Sequence, residues 1–245
     1  LDTTEYLSLF AILVIFISGF TQGMTSFGFS LLALPLMTMI LPIQVVVPLL
    51  MIFSLVLNSM ILVKMHSYVQ IKRIGILVTG GLIGTPIGVH GLLWMSESIL
   101  KIIVGVLIII VATVNFSGKK IPIRNSKRTL FPIGLLSGFF SGSVSLGGPP
   151  IVLFLNNQGV EKQSFRGNLT MYFWILNIFS IPNYFMSGLI TEPVIGYTIT
   201  LLPSLILGTA LGMFAGNRLN DGLFRKVSLV LITAMGFLAF YSGMA

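Results

Sequence analysis

Cysteine is absent from this chain, which excludes disulfides, thiolate metal sites and cysteine nucleophiles. Acidic residues are nearly as scarce. Asp and Glu together number 6, and none falls in the interior of an apolar run. Paired carboxylates for acid–base chemistry, carboxylate metal clusters and intramembrane carboxylate relays are therefore not available in the spans. No glycine-rich loop ending in lysine offers a nucleotide site, so no cofactor, no metal site and no catalytic group is expected. Charged residues of both signs make up only 8% of the chain against 55% hydrophobic ones. That balance cannot clothe a soluble surface of this size and points to an all-α polytopic membrane protein. The net charge of +8 could suggest nucleic acid, but the basic residues sit in short loops between apolar spans, where the cytoplasmic preference of Lys and Arg explains them. The expected partner is the lipid bilayer, with no nucleic acid. The first apolar run follows Asp2 and Glu5 rather than a basic segment and has no small-residue cleavage pattern; it reads as a span and not as a signal peptide.

What the chain does have is glycine, 26 residues of it, and one stretch concentrates its effect. Gly142-Ser-Val-Ser-Leu-Gly-Gly-Pro-Pro150 interrupts an apolar pattern. Gly147 and Gly148 permit a tight turn, while Pro149 and Pro150 suit the first turn of a new helix, where their missing N–H groups would be unpaired anyway. Free N–H groups on Gly147, Gly148 and Ile151, backed by the helix dipole, make an anion site. Non-helical backbone at membrane depth persists only where protein or a wet cavity receives its polar groups.

The pattern occurs twice. Ser18-Gly-Phe-Thr-Gln-Gly-Met-Thr-Ser-Phe-Gly28 aligns with Ser137-Gly-Phe-Phe-Ser-Gly-Ser-Val-Ser-Leu-Gly147, Asn58 and Asn177 keep the register, and Gly84-Thr-Pro-Ile-Gly88 matches Gly208-Thr-Ala-Leu-Gly212. This reads as an internal duplication: residues 1–118, a basic cytoplasmic linker 119–128, and residues 129–245. Each half is a broken-helix or re-entrant hairpin followed by three spans. The first half gives Tyr6 to Met24, Phe29 to Leu41, Val45 to Val63, Ile74 to Trp94 and Ile99 to Phe116. The second gives Leu130 to Ser141, Pro149 to Leu155, Gly167 to Phe185, Pro193 to Gly216 and Leu223 to Tyr241. With every basic loop inside, three spans per half make the two repeats inverted in topology, with both termini outside and the breaks meeting near the midplane.

Other residues carry two readings each. Gly80, Gly84, Gly88 and Gly208, Gly212, Gly216 mark helix faces for close packing more readily than ligand contacts. Asn58 and Asn177 are either interhelical amides or cavity walls. Gln22, Thr25 and Ser26 flank the first break; Thr85 and Thr209 read as interface hydroxyls, Trp94 as an interfacial anchor, and Tyr172 and Trp174 as core or cavity wall. His90 reads as a neutral, hydrogen-bonded histidine. Arg166 is expected at the cytoplasmic membrane edge, short of the midplane. The substrate set so drawn is Gly147, Gly148, Ser145, Ser143, Gly28, Ser26, Gln22, Asn58 and Asn177, binding a small anion.

The run Gly142 to Pro150, followed by Ile151-Val-Leu-Phe-Leu and by Ser164-Phe-Arg-Gly-Asn168, resembles the TauE/SafE family of sulfite and organosulfonate exporters over nearly the whole chain. The first half departs from the commoner glycine triplet with Ser26-Phe-Gly-Phe-Ser30 and lacks counterparts of Pro149 and Pro150. The resemblance implies a multi-pass transporter of a bacterial-type inner membrane that exports sulfite, sulfoacetate or a related anion, and not an enzyme. The alternative is a membrane-embedded enzyme acting on a lipid or polyisoprenoid phosphate. Neither a coupling ion nor an oligomeric state is indicated.

Overall fold

Backbone in hydrocarbon has no water to bond to and folds into helices that satisfy their own N–H and C=O groups. The computed structural model describes residues 3–96, 98–100, 102–103, 106, 127–157 and 160–220. In chain order the main elements are α1 Thr3–Thr25, α2 Phe29–Met37, α3 Ile43–Met65, α4 Ile71–Trp94, α5 Lys127–Val144, α6 Gly148–Asn157, α7 Lys162–Met186 and α8 Glu192–Arg218. A short 3-10 turn, His66–Tyr68, links α3 to α4. The span expected over Ile99 to Phe116 lies mostly outside the described residues, as does the linker 119–128, and the span over Leu223 to Tyr241 lies there entirely.

Among the described residues four stretches are long and apolar enough to cross a membrane: Tyr6–Thr25, Ile43–Tyr68, Ile71–Trp94 and Glu192–Arg218. Leu9, Leu13, Ile83, Ile87, Leu207 and Leu211 face outward from three of them, which is the belt that lipid requires. The chain is a multi-pass membrane protein. By contrast, α7 carries Lys162, Arg166, Asn168 and Asn177 and buries all of them, so its polar face is covered by the other helices. It begins at Lys162, ahead of the apolar run at Gly167, because these cations bond to protein: Lys162 Nζ donates to the Leu219 carbonyl.

The glycines spaced by four are packing faces. A Cβ placed on Gly80, Gly84 or Gly88 would stand 2.4, 2.1 and 2.2 Å from the carbonyl oxygens of Phe131, Leu135 and Phe139. Partner numbers rise together, so α4 and α5 run parallel at backbone contact. On Gly208, Gly212 and Gly216 the same atom would stand 2.3, 2.0 and 2.6 Å from the carbonyl oxygens of Phe16, Phe20 and Met24, which makes α8 parallel to α1. Thr85 and Thr209 lie on these faces, but each hydroxyl bonds back to its own helix, at Gly81 O and Leu205 O.

These pairings bring the basic ends together. The start of α5 lies beside the start of α4, Asn168 near the start of α7 accepts from the Gln70 N–H at 2.7 Å, and Lys162 reaches the chain just past α8. Lys64, Lys72, Arg73, Arg128, Lys162 and Arg218 thus share one end, the basic face. Glu192 and Trp94 are at the other, where Trp94 is 85% exposed. His90 is exposed and lies against the Trp94 ring, with centroids 6.2 Å apart. Among the described residues it has no hydrogen-bond partner, in contrast to the bonded histidine expected from sequence, because its face of α4 looks outward.

Candidate functional site

Each of the two helix breaks turns at a serine. Ser26 and Ser145 have φ of 66° and 57°, a left-handed conformation disfavoured for residues with a Cβ. The tight turn expected at Gly147 and Gly148 therefore draws on neither glycine. Gly147 instead permits close approach: a Cβ there would stand 2.7 Å from Ser137 O and 2.8 Å from Ser141 Cβ. Ser137 also donates its hydroxyl proton to the Gly147 carbonyl. Gly148 opens α6 toward free space, with Phe173 Cζ at 4.0 Å from a would-be Cβ. In the first break Gly28 has φ 100°.

The two breaks differ in their donors. At the first, the Phe29 N–H is capped by the Gln22 side-chain oxygen at 3.1 Å, so the protein itself fills part of that helix start. At the second, the Gly147 and Gly148 N–H groups have no hydrogen bond among the described residues, leaving the α6 terminus open to an acceptor. Ser30 Oγ and Ser145 Oγ join the breaks at 3.1 Å.

Between them lies a cavity with ≈ 40 Å³ open to the centre of a water-sized sphere, where one water needs about 10–15 Å³ on that measure. It suits a few waters or one small oxyanion. Its polar lining is Gln22, Ser30, Ser54, Ser141, Ser145 and Asn177, with the backbones of Gly28 and Gly148; Phe27, Phe29, Met51 and Phe173 complete its apolar walls. Asn177 Nδ2 donates to Ser54 Oγ at 2.9 Å and Asn58 Nδ2 to the same oxygen at 3.1 Å. Asn58 Oδ1 in turn accepts from Gln22 Nε2 at 3.2 Å, so the wall is braced from α1 through α3 to α7.

Of the residues drawn from sequence, Gln22, Gly28, Ser145, Gly148 and Asn177 line this cavity. Asn58 stands behind the wall. Gly147 supports the turn, the Ser143 hydroxyl bonds back to Phe139 O, and Ser26 faces away toward Arg166. Trp174 donates to Ser59 Oγ at 3.0 Å and ties α7 to α3. Ser141 belongs with Ser143 and Ser145 to the hydroxyl donors that the sequence offers at the second break, whereas Ser30 and Ser54 were not anticipated; Ser54 precedes Asn58 by one helical turn, which places both on one face.

Arg166 departs most from expectation. It is fully buried and donates from Nε to Ser26 Oγ at 3.2 Å, from one terminal nitrogen to Gly23 O at 2.8 Å and from the other to Asn217 Oδ1 at 3.2 Å. Its long side chain extends from the start of α7 to the first break instead of stopping at the membrane edge.

A family profile described as sulfite exporter TauE/SafE matches residues 11–238, nearly the whole chain. The chain belongs to that family. No curated protein and no solved structure matches it. For a TauE/SafE protein the geometry offers a small polar chamber at two helix starts, with one set of backbone donors unfilled.

Proposed function

We propose that this protein exports a small sulfur-containing anion, such as sulfite, sulfoacetate or a related organosulfonate, from the cytoplasm of a bacterial-type cell. The observation that carries the reading is the chamber of ≈ 40 Å³ between the breaks, faced by the unbonded N–H groups at the start of α6. An oxyanion there takes the Gly148 N–H with the hydroxyls of Ser145, Ser141 and Ser30 and the amide of Asn177. Each hydrogen bond to a charged group contributes roughly 1.5 to 3 kcal/mol. Gly147, Ser143, Ser26, Gln22 and Asn58 hold the turns and walls of that site.

In this reading residues 1–118 and 129–245 are inverted repeats joined by a cytoplasmic linker. Support comes from the pairing itself, since α1 packs on α8 as α5 packs on α4, the exchange a two-fold axis in the membrane plane would generate. Inside-negative potential drives anions outward by about 2.3 kcal/mol per charge per 100 mV. The test is efflux from proteoliposomes loaded with sulfite, with sulfoacetate, taurine, sulfate and short carboxylates compared. Protein-dependent loss of sulfite without a chemical product is expected, faster when a potassium-diffusion potential makes the interior negative. Lack of flux for every anion in the panel refutes the reading.

A further inference from the structure

A guanidinium has five N–H donors, and among the described residues those of Arg166 meet three acceptors, all neutral: Ser26 Oγ, Gly23 O and Asn217 Oδ1. A fully buried cation with no carboxylate partner among the described residues is costly to maintain. One turn further along α7, the Thr170 hydroxyl is fully buried and has no hydrogen-bond partner among the described residues. Arg166, Thr170, Phe173 and Asn177 follow the 3.6-residue period, so they form one stripe on α7. Its far end, Phe173 and Asn177, lines the chamber; its near end is at the basic face. Over that length α7 rises roughly 16 Å.

The segment between Arg166 and the chamber is the first break. Ser26 is held by Arg166, and Phe27, which lines the chamber, packs edge-on against Phe165 with ring centroids 6.2 Å apart. We propose that the stripe Arg166–Thr170–Asn177 is the anion passage between the chamber and the basic face. Arg166 is its first anion-binding group, Thr170 its intermediate hydroxyl, and Ser26–Phe27 its gate. In this conformation the gate is shut. An incoming oxyanion takes the Arg166 donors, Ser26 and Gly23 lose their partner, and Ser26 is freed from its left-handed conformation. Phe27 then leaves the path. This proposal rests on the anion-export reading for its cargo, while its own content is the route.

A chain without cysteine permits a direct test. Thr170→Cys, nearly isosteric, is placed in nanodiscs and treated with two methanethiosulfonate reagents of similar size, one bearing a sulfonate and one a quaternary ammonium. The sulfonate reagent is expected to react about tenfold faster, the order of enrichment a positive site gives. High salt and added sulfate should lower the preference, Arg166→Lys should keep it and Arg166→Gln should abolish it. If the Arg166→Gln variant does not fold, the salt dependence in Thr170→Cys alone decides. A folded Thr170→Cys protein that resists both reagents, or shows equal rates at low salt with Arg166 intact, overturns the passage. Wild-type sulfite efflux measured in parallel separates the two ideas: efflux with an unreactive Thr170→Cys removes the passage alone, and charge-selective labelling without efflux of any tested anion removes the export reading alone.

Discussion

At the scale of the residue, the two glycines of the second break have different tasks despite being neighbours. A methyl on Gly147 would stand 2.7 Å from Ser137 O and 2.8 Å from Ser141 Cβ, and overpacking of this kind costs about 1–3 kcal/mol. A methyl on Gly148 meets nothing closer than Phe173 at 4.0 Å, yet it occupies the chamber beside an unfilled donor. Gly147→Ala is expected to lower the melting temperature in detergent, whereas Gly148→Ala should melt like wild type and bind sulfite at least tenfold more weakly, a loss of about 1.4 kcal/mol. Equal affinity in Gly148→Ala would place the anion elsewhere. Ser145 adds a separate test, because its φ of 57° costs about 1–2 kcal/mol that glycine does not incur. Ser145→Gly should therefore be no less stable than wild type, although it forfeits the bond to Ser30, and should bind more weakly for want of its hydroxyl. A Ser145→Gly protein that melts well below wild type would contradict the strain at this turn. The break was legible in the sequence because glycine pairs and proline pairs are rare together in an apolar run. The residue in the left-handed conformation was not, since serine carries no mark of it. Nor could Arg166 be located: a basic residue near a loop looks like an edge charge until the burial of α7 is known.

At the scale of the element, interfaces built on glycine are readable in kind but not in partner. A period of four announces a face where backbones touch; nothing in it says that α4 takes α5 and α1 takes α8, both in parallel. A methyl on Gly84 would fall 2.1 Å from Leu135 O, so Gly84→Ala must push the helices apart. Gly75, on the same helix, has nothing within 4 Å of the same position. There alanine only removes the conformational freedom of glycine, a gain of roughly 0.5–1 kcal/mol. The expected result is a marked fall in melting temperature for Gly84→Ala and none for Gly75→Ala. Similar melting of the two would mean that the α4–α5 contact contributes little. Polar α7 illustrates the reverse difficulty. Its apolar run from Gly167 to Phe185 announces a span but not that Lys162 and Arg166 belong to the same buried helix, and only the cover provided by its neighbours explains why such a sequence can lie at the centre.

At the scale of the whole molecule, the charge pattern and the helix pairing bear independently on sidedness. Sequence alone assigns the Lys and Arg loops to the cytoplasm by their excess of positive charge, but it cannot show that they share one end. The contacts do that without reference to charge: α4 and α5 start together, the start of α7 bonds to Gln70, and Lys162 bonds just beyond the end of α8. Since cationic loops resist translocation, that common end is expected in the cytoplasm, with the end bearing Trp94 and Glu192 facing outward. Single cysteines at Ser67 in the 3-10 turn and at Ser96 after α4, both exposed, report on the two ends without background. With a membrane-impermeant maleimide, Ser96→Cys should label in intact cells, and Ser67→Cys only after permeabilisation. Labelling of Ser67→Cys from outside, or of both positions alike, would reverse or break this orientation. The anion passage would then open away from the cytoplasm, and export from the Arg166 end would no longer be tenable.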